Sequence, residues 1–407
     1  MKNYTFKQND FNRNESTDGK SSLCAFQFHD DFNPETIPPR DWIVKGLLLK
    51  PYVSVLVGPG GVGKSQLINT VGVSLASGID FLNLGVKEQY NVLIINNEDS
   101  EDELKMRVSG ICQHHNISFN KISDSLFMHS GYSEPLILAD NSNDMIKATK
   151  KKDELIALIK QKNISILTVD AFVSSHNIDE NRNSDMDKVI GVYKSIALET
   201  NIAILIVHHT RKMGSDSEAH AGDIESSRGA KAVTDACRAG HTLASMSRKT
   251  AKELDIDFSI GKSLLRMDDA KQNYSELNER SSWFRMVSTQ IANEEWIGVP
   301  EMFNIEPHLK NLRDKSNGLN PHDVAESLNS ICIHLANPDE NTWTEIRSKY
   351  MELKKVSTRT AMNHIKLLSD NPENPTRINS DTGLIDFWIG QKSGGSTAPF
   401  VIFRKEL

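Results

Sequence analysis

Along the first two-thirds of the chain, short apolar runs rich in β-branched residues alternate with longer segments of helical periodicity. Residues 53–57, 92–99, 164–170 and 202–209 are short runs, apolar almost throughout. That pattern predicts strands buried on both faces, the second and third ending in acids and the fourth in a histidine pair. Residues 66–76, 100–110, 144–162 and 184–200 lie between or beside these runs and predict helices. Ser100 is placed to cap the second helix, ahead of Glu101, Asp102 and Glu103 in its first turn. Ile146, Leu155, Ile156 and Ile159 supply the apolar side of the third, and the 150–152 lysines a solvated face. Strands alternating with helices of this length predict an α/β fold with a mostly parallel sheet. Weaker signals suggest a short strand at 126–129 and a hairpin or loop over 131–143. After a polar stretch at 211–227, a helix is expected over 228–240. Strand-like runs at 257–260, 263–267 and 283–287 are expected to add antiparallel strands to the sheet.

The same reading divides the chain. Residues 1–34, rich in Asn, Asp, Ser and Lys, read as a flexible N-terminal arm. Residues 35–299 form the core, 300–321 a linker, and 322–407 a small C-terminal domain. Composition changes this picture little. At 407 residues the chain suits about two or three domains. Its net charge of −7 argues against a surface coated in positive charge without excluding a local nucleic-acid site. Cys24, Cys112, Cys237 and Cys332 show no C-x-x-C spacing, which favours a reducing cytoplasm over a disulfide framework or zinc site. The first residues lack the apolar stretch of a signal peptide, and no run approaches a membrane span.

Candidate chemistry begins at Gly58-Pro59-Gly60-Gly61-Val62-Gly63-Lys64-Ser65, which fits G-x-x-x-x-G-K-[ST] between an expected strand and helix. Backbone N–H groups of such a loop close around phosphates, and the helix N-terminus adds partial positive charge. Gly58, Gly60, Gly61, Val62, Gly63, Lys64, Ser65 and Gln66 are therefore the candidate nucleotide cradle. Lys64 is placed to reach the β- and γ-phosphates of ATP, and Ser65 to hold Mg²⁺. Asp170, ending an apolar strand, has the Walker B arrangement and is a second candidate for the Mg²⁺ shell. Glu98 ends the strand that follows the P-loop in sequence. If that strand lies beside the P-loop strand, its carboxylate can activate a water against the γ-phosphate. Of the adjacent His208 and His209, which point to opposite faces, His209 is the candidate γ-phosphate sensor.

The ordered set of motifs resembles the RepA-type plasmid-replication helicases, within the RecA-like/DnaB-like group of hexameric ATPases. The residues that carry the likeness are Ile37-Pro38-Pro39-Arg40-Asp41-Trp42, the P-loop, Asn97-Glu98-Asp99 with Arg107, Val169-Asp170, and Val207-His208-His209-Thr210-Arg211-Lys212. They continue with Ser227-Arg228-Gly229-Ala230, Asp235, Arg238, and Asp269-Ala270-Lys271-Gln272-Asn273-Tyr274. The resemblance spans about residues 35–290. It implies a RecA-like P-loop NTPase core with Glu98 as catalytic base, and Arg238 as an arginine finger acting on the neighbouring subunit's nucleotide. Lys271 is implied as a second trans-acting cation; which of Arg228, Arg238 and Lys271 dominates is left open. A finger supplied in trans puts the active site at a subunit interface, so a homo-oligomeric ring, read as a hexamer, is implied.

In such a ring the loop from Arg211 to Arg228 would face the channel and contact single-stranded DNA through Arg211, Lys212 and Arg228. The loop also carries Asp216, Glu218, Asp223 and Glu225 and no aromatic residue, which departs from the usual stacking platform. At the C-terminus, expected helices over 344–353 and 357–368 precede a hairpin at 377–379 and 387–390 and a strand at 400–404. This succession resembles a winged-helix domain. Ala361, Ile365 and Leu368 would face its core, leaving Arg359, Asn363 and Lys366 for base or phosphate contacts with duplex DNA. Residues 341–407 hold ten Lys/Arg against seven Asp/Glu, a local basic balance in an acidic chain. The function expected is an ATP-hydrolysing DNA helicase or translocase of a plasmid, phage or other mobile element. Two other readings are an ATP-switched DNA-binding regulator or loader without unwinding activity, and a strand-exchange filament protein.

Overall fold

The computed structural model describes residues 28–142, 145–180, 182–210, 218, 221–222, 230–278, 280–309, 321–335, 339–368, 372, 374–380, 383–391 and 400–406. The expected arm lies largely outside them, as do the 211–217 segment and residues 223–229. Two units separate, residues Met1–Asp41 and Trp42–Leu407. In the first, Asn33 caps a single 3₁₀ turn, Pro34–Thr36, by accepting the Glu35 N–H. Phe28 and Phe32 meet edge to face nearby and stay exposed.

The second unit opens with a small ribbon, β1 (Trp42–Val44) and β2 (Leu48–Leu49). Then follow β3 (Val53–Pro59), α1 (Lys64–Ser77), β4 (Val92–Asn96), α2 (Glu101–His114) and β5 (Leu126–Ser130). A hairpin of β6 (Ala139–Ser142) and β7 (Met145–Ala148) leads to α3 (Lys150–Gln161), β8 (Ile166–Asp170), α4 (Asn183–Thr200) and β9 (Ala203–Thr210). Next come α5 (Ala230–Ala236), β10 (Ala239–Ser245), α6 (Arg248–Glu253), α7 (Phe258–Gly261), β11 (Leu264–Gln272), β12 (Ser282–Gln290) and β13 (Trp296–Met302).

Among the described residues, nine strands form one sheet in the order β13-β12-β11-β10-β3-β9-β8-β4-β5. From β10 to β5 neighbours run parallel; β11, β12 and β13 add antiparallel strands at one side. This is the mostly parallel α/β sheet that the periodicity predicts, and with the P-loop motif at the end of β3 it is an α/β P-loop NTPase core. The alternation of a strand splits its apolar residues between two layers. Val53, Val55 and Val57 of β3 and Ile204 and Ile206 of β9 pack with α3 and α4 residues such as Ile159, Val189 and Tyr193. Leu56, Leu205 and Val207 face the other layer, with Leu67, Val71 and Leu75 of α1. His208 and His209 inherit that alternation and leave β9 on opposite faces.

Several expectations are corrected. Residues 145–148 form a strand, so Ile146 belongs to β7, and α3 begins only at Lys150. Residues 258–261 are a helical turn capped by Asp257, which accepts the Ser259 N–H, where a strand is expected. Residues 239–245, assigned to the end of a helix and beyond, are the strand next to the P-loop strand. Residues 300–302 are the end of β13, not linker, and Ile305 is buried behind it.

The rest of the unit comprises α8 (Pro321–Cys332), β14 (Glu340–Thr342), α9 (Trp343–Lys354), α10 (Thr358–Ile365), β15 (Thr376–Ser380), β16 (Gly383–Gln391) and β17 (Phe400–Glu406). The strands form a sheet in the order β14-β17-β16-β15. Its own apolar cluster gathers Val324, Leu328, Ile346, Tyr350, Ala361, Ile365, Leu368 and Phe387. A capping box at Thr342 and Glu345 starts α9, and Ser357 caps α10 by accepting the Thr360 N–H.

Candidate nucleotide site at the carboxyl edge of the sheet

In an open parallel sheet ligands sit outside the carboxyl ends of the strands, where helices start. The P-loop lies there, between Pro59 at the end of β3 and Lys64 at the start of α1. Gly63 caps α1 with φ 103°, a left-handed conformation that a side chain would strain, and with no side-chain hydrogen bond. The first N–H groups of a fourteen-residue helix thus face the loop without a side-chain cap. Gly58 is required for a different reason. A Cβ there would fall 2.5 Å from the Leu243 carbonyl oxygen, because β10 runs directly alongside. Gly60 and Gly61 face open space, with no atom within 4 Å of a Cβ built on either. Val62 turns into the core.

Lys64 is 3% exposed, and its Nζ donates to the Gly58 and Pro59 carbonyl oxygens, both at 2.8 Å. It also lies 3.2 Å from His209 Nδ1. Burial lowers its ammonium to about 8, against the opposing pull of Asp170 and Glu98. Since Nδ1 faces this donor, the His209 proton is placed on Nε2, 3.7 Å from Glu98 Oε1. Burial, and then the Lys64 charge, hold His209 below its usual range, so it stays neutral near pH 7.

Asp170 ends β8 and is buried, and both its oxygens lack a direct hydrogen-bond partner. Burial pushes its carboxyl up, the Ser65 hydroxyl opposes that, and Glu98 adds to it. Glu98, Asp170 and His209 present ligand atoms within 4.8 Å of one another. Buried carboxylate oxygens without partners, beside a serine hydroxyl, fit a hard divalent cation such as Mg²⁺. The Gln66 amide is buried with neither end paired.

The route by which Glu98 arrives differs from the expected one. Its strand β4 is not beside the P-loop strand, because β9 and β8 intervene. Nor does Glu98 belong to the strand, which ends at Asn96. A turn over 97–99 carries the carboxylate back across Asp170. The Asn96 side chain that shapes this turn is a site residue that sequence reasoning missed. An Asn two places before an acid at a strand end is an Asx-turn signal that could have found it.

Arg238 and Lys271 lie elsewhere. The Arg238 N–H bonds to the Val53 carbonyl oxygen at the amino end of β3, and Lys271 is paired with Gly240. The P-loop is about six residues further along β3, roughly 20 Å away. Arg238 is exposed, with its guanidinium 6.0 Å from the Tyr274 ring centroid. Lys271 Nζ donates to the Thr234 and Asp235 carbonyl oxygens at the end of α5, both at 2.9 Å. Neither joins the cluster around Lys64 within one chain. Arg211, Lys212 and Arg228 lie outside the described residues. Glu218 between them is tied down, accepting from the Ser247 N–H at 2.8 Å and the Thr250 hydroxyl at 2.6 Å. Arg359, Asn363 and Lys366 are all exposed along one side of α10 and its C-cap.

Fold and site define a P-loop nucleoside triphosphatase. Comparison with known families agrees: residues 20–215 match the family model AAA_25, described as an AAA domain. The matched stretch holds Lys64, Glu98, Asp170 and His209, and points to ATPase activity. It stops short of Arg238, Lys271 and the C-terminal sheet. Among the described residues no helix is long and apolar enough to cross a membrane.

Proposed function

We propose that the chain is an ATP-driven DNA helicase or translocase that works as a ring, read as a hexamer, in replication of a plasmid, phage or other mobile element. The observation that carries this reading is the division of the charged groups. Lys64, Glu98, Asp170 and His209 gather at the carboxyl edge of the sheet, while Arg238 and Lys271 sit roughly 20 Å off at its amino edge. On this reading such cations would serve a neighbour's nucleotide, and a closed head-to-tail ring would supply every such interface.

Within one subunit the loop N–H groups and Lys64 would bind the triphosphate. Ser65 and Asp170 would hold Mg²⁺, which when bound neutralises charge on the phosphate oxygens. Glu98 takes the proton of the attacking water. His209, between Lys64 and Glu98, senses whether Lys64 is engaged with its own loop or with phosphate. On this reading the elements from α8 to β17 would serve as a winged helix, with the exposed Arg359, Asn363 and Lys366 toward duplex DNA.

The test is steady-state ATPase with and without single-stranded DNA, and strand displacement on a forked duplex, for wild type and Lys64→Ala. Stimulated hydrolysis and unwinding, both lost in Lys64→Ala, support the proposal. Hydrolysis with site-specific duplex binding and no unwinding of either polarity would replace it with the regulator reading. A monomer by native mass spectrometry, with ATP and DNA present, would remove the trans roles of Arg238 and Lys271.

A further inference from the structure

Glu98 has to cross two strand spacings, about 10 Å, to meet His209 of β9 from the end of β4. Residues 96–99 close that gap. Asn96, the last residue of β4, is 1% exposed. Its Oδ1 accepts the N–H of Glu98 and that of Asp99, both at 2.8 Å, and its Nδ2 donates to Asp99 Oδ2 at 3.0 Å. One buried amide therefore fixes the backbone of Glu98 and its neighbour's side chain together. The surrounding bonds hold the frame in which it acts. The Asn97 N–H extends the ladder to the Asp170 carbonyl oxygen at 2.7 Å, and its side chain binds the Ser174 carbonyl oxygen and the Leu136 N–H. On the far side Arg107 grips Asp99 at 3.2 Å and is itself held by Glu103 at 2.8 Å. With Asp99 drawn toward α2, Glu98 is left facing Asp170 and His209.

We infer that Asn96 is the positioning residue for Glu98, setting the carboxylate over the γ-phosphate end of the site without touching nucleotide. This rests on the reading of Glu98 as the base that activates water. A displacement of about 1 Å from a reactive geometry can cost about 100-fold in rate, so freeing the turn should act on turnover and leave ground-state binding intact.

The experiment compares wild type, Asn96→Ala, Asn96→Ser, Glu98→Gln and the double variants with Glu98→Gln, by steady-state ATPase and binding of a fluorescent ATP analogue. Asn96→Ala should lower kcat about 30- to 100-fold, with analogue affinity within about twofold. Asn96→Ser, which keeps a short acceptor, should recover part of that loss. In the Glu98→Gln background both Asn96 changes should cost nothing more, because the group they position is already gone. Losses that multiply with Glu98→Gln, or an Asn96→Ala protein that turns over like wild type, would overturn the inference. If Asn96→Ala does not fold, Asn96→Ser decides: no fall in kcat, or a fall that persists in Glu98→Gln, rejects it. If Glu98→Gln itself leaves kcat unchanged, the reading of Glu98 as base fails first, a result distinct from either.

Discussion

Lys64 offers a measurable consequence of its burial. In the free protein its three donor directions go to the carbonyl oxygens of Gly58 and Pro59 and to His209, and its ammonium is lowered to about 8 from an ordinary 10.5. A bound triphosphate would place several negative charges against that ammonium and raise its value. The nucleotide-bound state then holds more protons than the free state once the pH passes about 8. Affinity must therefore be flat below that value and fall above it, approaching tenfold per pH unit, or about 1.4 kcal/mol. Folding stability carries the opposite sign over the same window. The unfolded chain holds this proton up to 10.5, so the cost of burying Lys64 diminishes as pH rises from about 8 toward 10.5.

The assay is a titration with a fluorescent ATP analogue from about pH 7 to about pH 9.5. The terminal phosphate, with an ionisation near 6, is already fully charged there. His209, held below its usual range, is neutral throughout. The control is Lys64→Arg, which keeps its charge across the window and should show no fall, even if it binds more weakly. Constant affinity in the wild type, or the same slope in Lys64→Arg, would refute the reasoning.

Gly63→Ala should cost about 1–2 kcal/mol through the strained left-handed cap and the Leu265 methyl 3.2 Å from the new Cβ, seen as a lower melting temperature together with weakened nucleotide binding. Tyr193→Phe should cost about 1 kcal/mol by removing the buried hydroxyl 2.5 Å from Ser175 Oγ, with ATPase activity unchanged. Arg359→Ala with Lys366→Ala should weaken duplex binding, and lower the slope of log affinity against log salt by about two if both contact phosphate. Equal affinity and slope in a filter-binding salt series would remove α10 from the DNA interface.

What the chain disclosed follows from where side chains have a single use. Ile204, Ile206 and Val207 are buried on both faces of a parallel sheet, so the apolar run alone marked β9. Strand β10 is just as central, yet reads Ala239-Gly240-His241-Thr242-Leu243-Ala244. Its polar members have partners that only the fold supplies. His241 Nδ1 is 3.0 Å from Asp269, its Nε2 lies 3.2 Å from the Gly46 carbonyl oxygen, and Thr242 accepts the Gly222 N–H. Satisfied in this way, a polar residue costs little in the interior, and the hydrophobic signal disappears. The same reasoning explains residues 257–261, where a cap bond from Asp257 outweighs an apolar pattern suited to a strand.

Of the candidate site residues, Glu98, Asp170 and His209 are brought together and Arg238 and Lys271 are not. Strand β4, which leads into Glu98, is separated from the P-loop strand by those carrying His209 and Asp170. That order has a physical consequence. His209, on the strand between those of the P-loop and Asp170, stands between Lys64 and Glu98 with one ring nitrogen facing each. On the proposed reading, a phosphate that drew Lys64 away would remove the contact to His209 Nδ1, while the Asn96 bonds to the Glu98 and Asp99 N–H groups would remain.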